Sequence, residues 1–122
     1  MLATDVSPTA VSRARQRCKD LSHVCIKCAD LRQMQPGMAF DLIVVSEIGY
    51  YFDRNLLYEI SSELGDVLLP GGELLAVHWL GESPDHLLHA DEVHALLQRN
   101  LRLDHVQAAV YPGFRLDSWV KQ

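Results

Sequence analysis

The stretch FDLIVVSEIGYYF, residues 40–52, decides the fold of this chain. Its segment 42–45 is a continuous apolar run, which is typical of a strand buried on both faces, as in a parallel sheet. The polar residues Ser46 and Glu47 follow where this strand ends. In open sheets of this kind, ligands bind outside the carboxyl ends of the strands. The stretch therefore predicts a central strand with a binding site at its carboxyl end.

Helices and strands alternate downstream of this stretch. Asp53 is a predicted helix cap, and apolar residues at helical spacing continue to the turn Pro70-Gly71-Gly72, which is expected to end the helix. Residues 74–79 then predict another apolar strand. The remaining patterns predict a polar loop at 81–89, a short helix capped by Asp91 and ending at Asn100, and a hairpin of strands at 103–111 and 114–120.

The upstream region begins with the end of a strand at residues 2–5. Ser7 is the predicted cap of the next helix, and Pro8 occupies its first position, where a missing N–H costs nothing. Residues 23–29 predict a second strand, and a loop at 33–39 carrying Pro36 and Gly37 follows it. This order predicts an α/β fold in one domain over the whole chain. We expect a doubly wound, mostly parallel sheet with an antiparallel C-terminal hairpin strand.

Composition limits the function classes. The chain has 122 residues, a formal net charge of −5 and a pI of about 5.6, so nothing favours a nucleic-acid partner. The basic residues between 13 and 19 are expected on a solvated helix face. No apolar run reaches the roughly 18 residues of a membrane span, and no signal peptide pattern opens the sequence. We therefore expect no membrane partner and a cytoplasmic location.

The cysteine and histidine content gives little support to a metal site. Cys25 and Cys28 have CxxC spacing with His23 nearby, so a zinc site can be drawn. However, strand alternation puts the two cysteines on opposite faces. The other candidate ligands are expected on loop and helix surfaces, and they are His86, His89 and His94. We expect no metal.

Four segments together resemble a known family. They are ATDVSPTAVSRARQRC (3–18), SHVCIKCAD (22–30), FDLIVVSEIGYYF (40–52) and LLPGGELLAVHW (68–79). Acids end the first two strands. The four segments, in this order and at these spacings, resemble class I S-adenosylmethionine-dependent methyltransferases, and within that group they are most similar to the NodS-like nodulation methyltransferases. The resemblance implies a Rossmann-like fold, S-adenosyl-L-methionine as cofactor and a small-molecule acceptor. In the NodS-like subgroup the acceptor is an amine of a deacetylated chito-oligosaccharide.

The resemblance also implies roles for residues near the cofactor. Asp5 matches the acid that accepts from both ribose hydroxyls, and the alternative is a cap at the start of the helix. Val6 would pack on the adenine face, or else in an ordinary core. Asp30 would accept from the adenine amino group, with the backbone of Leu31 near the ring, or else be a surface acid. Ser46 would contact the cofactor through its backbone carbonyl.

A second group of residues is expected around the acceptor. Glu47 is predicted to orient or deprotonate an amine, and the alternative is an ordinary loop acid. His78 is the natural candidate for a general base because its pKa lies near neutrality, and the alternative is a strand-end histidine bonded to backbone. Tyr50 and Tyr51 would wall the acceptor pocket, with at least one of them buried in the core. Trp79 would line the pocket or cover the sheet edge.

The family pattern is incomplete at the front of this sequence. Its first strand, glycine-rich loop and first helix would precede residue 1, and no Gly-x-Gly occurs. The resemblance thus implies an N-terminally truncated domain. In the family's strand order 3-2-1-4-5-7-6, loss of strand 1 leaves two open edges, and unpaired buried backbone groups cost about 1–3 kcal/mol each. We therefore expect self-association through strand edges and weak or absent cofactor binding.

Two other interpretations fit parts of the sequence. A receiver domain has this length and a doubly wound sheet, but Ser46 stands where its phosphate-accepting acid belongs. Its paired acids and its lysine are also missing. A non-catalytic methyltransferase-like fragment that self-associates is the other alternative. A glycine-rich loop encoded upstream of Met1 would favour the enzyme.

Overall fold

The computed structural model describes residues 1–33 and 37–122, and packing divides the chain into two compact units, Met1–Pro36 and Gly37–Gln122. The N-terminal unit contains strand β1 (Leu2–Asp5), helix α1 (Pro8–Arg17), strand β2 (Cys25–Cys28) and a short 3₁₀ turn (Leu31–Gln33). The two strands are parallel, with Leu2 opposite Cys25 and Asp5 opposite Cys28, so both end at the same edge. Pro36 of the predicted loop lies outside the described residues.

Helix α1 begins where the sequence predicts. The Ser7 hydroxyl accepts a hydrogen bond from the Ala10 N–H at 3.2 Å, and Pro8 is the first helical residue. The Arg15 guanidinium donates two hydrogen bonds, of 2.8 and 3.0 Å, to the carbonyl of Ile26 in β2. The helix is therefore fixed at its start by a cap and along its length by a side chain that reaches β2.

The C-terminal unit contains a four-stranded sheet with two helices. Its elements are β3 (Phe40–Ser46), a 3₁₀ turn (Gly49–Tyr51), α2 (Arg54–Val67), β4 (Leu68–Trp79), α3 (Ala90–Asn100), β5 (Asp104–Tyr111) and β6 (Phe114–Val120). The strand order is β3-β4-β6-β5, with β3 and β4 parallel and the other neighbours antiparallel. The predicted α/β class and the antiparallel C-terminal hairpin are confirmed.

Within each sheet, the neighbouring strands are those of the expected family order. The pair β2-β1 corresponds to positions 3-2, and β3-β4-β6-β5 corresponds to positions 4-5-7-6. In the part of the chain that is described, β1 pairs only with β2, and β3 pairs only with β4. Each of these two strands therefore has one edge without a strand partner among the described residues, as predicted.

Strand β3 differs from the prediction that it is buried on both faces. Leu42 and Val44 are 52% and 55% exposed, whereas Val45 is 5% exposed. The reason is that α3 and the α2 packed against it cover the face of the sheet that carries Val45, Ala76 and His78. No helix of this unit covers the opposite face among its described residues.

The predicted start of β4 is wrong, and so is the prediction of a turn at Pro70-Gly71-Gly72. Strand β4 begins at Leu68 instead of residue 74, because Leu68 pairs with Phe40 and the Pro70-Gly71-Gly72 segment lies inside the strand. Gly71 takes the left-handed conformation there (φ 77°), and its N–H donates to the Lys121 carbonyl at 2.7 Å. The segment is thus an irregularity at the start of β4, and α2 ends just before it, at Val67.

The predicted cap of α2 is confirmed, whereas the predicted cap of α3 is wrong. The Asp53 carboxylate accepts from the Leu56 N–H at 2.8 Å and caps α2, as predicted. The cap of α3 is His89, whose Nδ1 accepts from the Asp91 N–H at 3.1 Å. Asp91 lies in the first turn, where the helix dipole stabilises a carboxylate. No helix in the described ranges is long and apolar enough to cross a membrane.

Candidate active site

The first predicted ligand, Asp5, ends β1 and is exposed. Its Oδ1 accepts from the Ser7 N–H at 2.8 Å, whereas Ser7 itself caps the helix through Ala10. Asp5 therefore does not compete with Ser7 for the donors of the first turn. Within residues 1–33 and 37–122, its Oδ2 has no hydrogen-bond partner. The neighbouring Val6 is 68% exposed, so it is not an ordinary core residue of this structure.

Asp30 follows β2 at the same edge of the N-terminal pair, where the Ala29 N–H donates to the Asp5 carbonyl. Arg32 holds the Asp30 carboxylate. The Arg32 backbone N–H donates to Oδ1 at 2.9 Å, and the guanidinium Nε lies 3.0 Å from both Oδ1 and Oδ2. These bonds lower the pKa of Asp30 to about 2, so the group is an anion at neutral pH. Leu31 begins the short 3₁₀ turn that follows.

In the C-terminal unit, the residues after β3 form a turn held tightly against β4. Ser46 ends the strand, and Glu47 takes a left-handed backbone conformation with φ 59°. Such a conformation costs a non-glycine residue roughly 1–2 kcal/mol. The cost is offset by hydrogen bonds to three successive positions of β4. The Glu47 N–H donates to the Val77 carbonyl, and the Glu47 carboxylate accepts from the Trp79 N–H at 2.7 Å.

The third of these bonds comes from Gly49, whose N–H donates to Nε2 of His78 at 3.0 Å. A side chain at Gly49 would not fit. A Cβ atom there would lie 2.4 Å from the Val93 side chain and 2.9 Å from the His78 ring. The glycine is therefore required by the close approach of the turn to His78 and α3.

His78 continues into a buried chain of polar side chains. Its Nδ1 lies 3.0 Å from Nε2 of His94, and Nδ1 of His94 lies 2.6 Å from Oδ2 of Asp117. All three residues are 1% exposed or less. Asp117 also accepts from His105 at 2.8 Å and from Nε of Arg115 at 2.7 Å. The expectation that His94 lies on a helix surface is wrong, because α3 turns this residue towards β4 and β6.

Burial controls the ionisation of this chain. Burial and the nearby His94 lower the pKa of His78 from 6.5 to about 3, and burial also lowers the pKa of His94 although Asp117 acts in the opposite direction. Burial alone would raise the pKa of Asp117. Hydrogen bonds from Arg115, His94 and His105 outweigh the effect of burial, so the pKa of Asp117 is lowered. Both histidines are therefore neutral at physiological pH, and Asp117 is an anion.

These facts bear on the prediction that His78 is a general base. The ring is fully buried and both of its nitrogens are engaged, Nε2 by the Gly49 N–H and Nδ1 by His94. This is the arrangement of a strand-end histidine bonded to backbone, which is the alternative given for it above. No nitrogen of the ring is left to receive a proton from an acceptor.

The aromatic residues near the turn divide into a buried and an exposed group. Tyr50 is 2% exposed, and its hydroxyl donates to Glu47. Burial and this hydrogen bond raise the pKa of Tyr50 above its ordinary value, which keeps the hydroxyl a donor. The His86 ring stacks on Tyr50 with centroids 3.9 Å apart. Tyr51 and Trp79 are 46% and 44% exposed, so they are the rings that a ligand can reach.

The predicted site residues fall in both units. Those for the cofactor in the N-terminal unit lie together at the carboxyl edge of its strand pair, and they are Asp5, Val6, Asp30 and Leu31. Those of the C-terminal unit gather around one turn, and they are Ser46, Glu47, Tyr50, Tyr51 and His78. Across residues 1–33 and 37–122, no cluster of metal-ligating side chains occurs.

Comparison with known proteins identifies the family. A sequence model of the nodulation protein S (NodS) family matches residues 1–111. The chain belongs to the NodS family. Nodulation protein S of Sinorhizobium fredii (strain NBRC 101917 / NGR234) is 35% identical over 105 residues, which cover 80% of this chain and 47% of that protein. Nodulation protein S of Rhizobium fredii is 40% identical over 72 residues, 58% of this chain and 41% of that protein.

A solved structure of the same family has the same fold. The N-methyltransferase NodS from Bradyrhizobium japonicum WM9, in complex with S-adenosyl-L-homocysteine, matches with a TM-score of 0.82 and 27% identity. The match covers 98% of this chain and 65% of that one. This NodS-family chain therefore spans less than half the length of the curated relatives it matches and about two thirds of the solved structure.

Proposed function

We propose that this NodS-family chain carries part of an enzyme that transfers a methyl group from S-adenosyl-L-methionine to a small-molecule acceptor. Family membership over residues 1–111 is the observation that carries the proposal. It is supported by the likeness to an N-methyltransferase NodS solved with S-adenosyl-L-homocysteine. By the same likeness, we propose an amine as the acceptor, of the kind found on an amino sugar or a deacetylated chito-oligosaccharide.

The N-terminal unit offers a carboxylate suited to the cofactor's ribose. Asp5 is exposed at the end of a parallel strand, where ligands bind in such sheets, and its Oδ2 is free among the described residues. A carboxylate oxygen with open lone pairs accepts strongly from hydroxyls. We assign the adenine amino group to Asp30, whose orientation is fixed by Arg32, and the adenine face to the exposed Val6. The cofactor, when bound, supplies an activated methyl group.

The C-terminal unit offers a carboxylate suited to the acceptor. Each oxygen of Glu47 accepts one hydrogen bond within the protein, from Tyr50 or from the Trp79 N–H, and keeps a second lone pair. An acceptor ammonium can therefore donate to this carboxylate, which also provides a place for the proton that must leave before methylation. We assign the role of base or orienting group to Glu47, with Tyr51 and Trp79 as exposed walls.

Cofactor binding is tested by calorimetric titration of S-adenosyl-L-homocysteine into the chain. Asp5→Asn removes the charge but keeps an oxygen that can accept from the Ser7 N–H. We expect binding about 10- to 100-fold weaker, because hydrogen bonds to charged groups contribute about 1.5–3 kcal/mol. Asp20→Asn is the matched control, since it removes an exposed charge from the same unit. Equal affinity in wild type and Asp5→Asn would refute the ribose assignment.

Methyl transfer is tested with labelled S-adenosyl-L-methionine and an amino-sugar acceptor. Glu47→Gln keeps the size of the side chain and one acceptor oxygen but cannot take a proton. We expect kcat to fall by about 100-fold or more, as is typical on removal of a general base. Glu63→Gln on the exposed side of α2 is the control, with activity unchanged. Full activity of Glu47→Gln would exclude Glu47 as the base.

A non-catalytic, self-associating chain is the second candidate. It is favoured by the β3 edge that has no strand partner in the described ranges and by the exposed Leu42 and Val44 beside it. A second copy that pairs its own β3 would cover this edge, and packing of the two open faces would cover the two side chains. Sedimentation of Val44→Lys against wild type tests this candidate: a charge on this face should convert a dimer into a monomer. A wild-type chain that is already monomeric would exclude it.

A further inference from the structure

We propose that His78, His94 and Asp117 are positioning residues, which form a hydrogen-bonded chain of fixed direction and hold the turn that presents Glu47. The three residues lie on β4, α3 and β6. They link the interior of the C-terminal unit to Gly49. The importance of Glu47 rests on the function proposed above, but the direction of the chain does not.

One donor determines the direction of the whole chain. A backbone N–H can only donate, so Nε2 of His78, which faces the Gly49 N–H at 3.0 Å, must be the unprotonated nitrogen. The neutral ring then carries its proton on Nδ1 and donates it to Nε2 of His94. His94 in turn must carry its proton on Nδ1, which faces Asp117 at 2.6 Å. Both histidines are therefore assigned the Nδ1–H tautomer.

The far end of the chain is built to keep this direction. Asp117 is an acceptor only, and it cannot reverse the chain while it is ionised. Arg115 donates to it from Nε at 2.7 Å, and Arg115 also pairs with Asp91 at 3.2 Å. His105 donates to the other oxygen of Asp117 at 2.8 Å. The guanidinium of Arg115 thus balances the negative charge of Asp117, so a second proton on His94 is not needed to neutralise it.

The near end of the chain determines where Glu47 lies. The turn is attached to β4 at Val77, His78 and Trp79, and His78 supplies the only one of these attachments that uses a β4 side chain. The left-handed Glu47 is strained and depends on these attachments. If the His78 attachment is lost, the buried Gly49 N–H has no partner and the turn relaxes. The Glu47 carboxylate then moves away from the Trp79 N–H.

The tautomers are measured directly by long-range ¹H–¹⁵N NMR of the histidine rings in the full 122-residue chain. At neutral pH we expect the Nδ1–H form for both His78 and His94. The Nε2–H form in either residue would overturn the proposal. This measurement needs neither cofactor nor acceptor, so its failure is distinguishable from a failure of the proposed methyl transfer.

Two variants at His78 test the positioning role. His78→Gln can accept from Gly49 through its oxygen and donate to His94 through its amide nitrogen, whereas His78→Leu can do neither. We expect amide exchange at Gly49 about ten-fold faster in the leucine variant and restored in the glutamine variant, with exchange at Leu57 in α2 unchanged in both. The Glu47 carboxyl resonance should shift only in the leucine variant.

The outcomes divide clearly between a positioning role and a merely structural one. If faster exchange in His78→Leu extends to Leu57, the residue supports the whole core and the proposal is wrong. If Gly49 exchange is unchanged in His78→Leu, the hydrogen bond does not hold the turn and the proposal is also wrong. A local effect at Gly49 and Glu47, rescued by glutamine, is the supporting result.

Discussion

Acid should destabilise the C-terminal unit because two of its histidines stay neutral in the folded state at a pH where the unfolded chain takes up protons on them. Burial lowers the pKa of both His78 and His94 below the usual value of 6.5, to about 3 for His78. The unfolded chain binds these protons at a higher pH than the folded one. The stabilising contribution is therefore fully present above about pH 6.5 and is lost as the pH falls towards 3.

Several ionisable groups face the two rings. His78 faces the Tyr50 ring from the turn, with centroids 5.1 Å apart, and the pKa of Tyr50 is raised away from this range. The ionisable groups near His94 are Asp91 on its own helix, Arg115 and Asp117 on β6, and His105 beyond Asp117. The pKa of Asp117 is lowered from 3.8, so its own contribution is lost only in stronger acid.

The size of the effect follows from the shift at His78. Each proton taken up only by the unfolded state lowers stability by about 1.4 kcal/mol per pH unit. For a group that moves from 6.5 to about 3, the loss between about pH 7 and pH 5 is about 2 kcal/mol. This is a large part of the 5–15 kcal/mol typical of a folded domain.

The assay is urea unfolding followed by the fluorescence of Trp79 and Trp119, which both belong to the C-terminal unit. His78→Gln is the matched variant, because it keeps the hydrogen-bonding pattern but has no titrating group. We expect wild type to lose about 2 kcal/mol more than this variant between about pH 7 and pH 5. Parallel pH dependence of the two proteins would refute the assignment of a neutral, buried His78.

Three further variants test other contacts of the structure. Gly49→Ala should destabilise the chain by about 2 kcal/mol in urea unfolding, because the added Cβ would lie 2.4 Å from the Val93 side chain; unchanged stability would contradict the close approach. Arg32→Ala should return the pKa of Asp30 from about 2 towards 3.8, as measured by carboxyl NMR; a pKa that stays near 2 would mean that another group holds it. Asp53→Ala should cost about 1 kcal/mol of stability through the lost cap of α2, whereas Asp53→Asn should cost little.

Local signals in the sequence predicted the fold wherever local contacts decide it. Ser7, Pro8 and Asp53 mark helix starts that the structure has, because a cap needs only donors two or three residues away. The sequence predicts Asp91 as the cap of α3, whereas the structure has His89, because a histidine ring that accepts through Nδ1 is not among the usual capping groups. The apolar run of β3 predicted a strand but not its exposed face, because the covering of a face depends on distant elements.

Only part of the candidate site can be predicted from the sequence, because the other part depends on contacts between residues that are far apart in the chain. The acids at strand ends, Asp5, Asp30 and Glu47, stand at positions where parallel strands present ligands, and sequence order locates them. The sequence does not indicate that His94 and Asp117 join His78, because the three residues meet through long-range pairing. Asp117 lies opposite Ala76 in the β4–β6 register, two residues from His78. Asp117 lies two residues before Trp119 in β6, so the sequence puts a carboxylate on the same face of the strand as a large aromatic residue.

The two carboxylates proposed to act on cofactor and acceptor differ in how they are held, and this difference has a kinetic consequence. The Asp5 carboxylate accepts one hydrogen bond, from the Ser7 N–H, and among the described residues its other oxygen is open to a ligand. Replacement of Asp5 should therefore weaken cofactor binding but change little in the position of the cofactor once it is bound. Glu47 is held by Tyr50, by the Trp79 N–H and by a strained backbone, so it arrives already oriented. Orientation fixed before binding acts on the transition state. Changes that loosen the Glu47 turn should therefore lower kcat, whereas changes at Asp5 should raise KM for the cofactor.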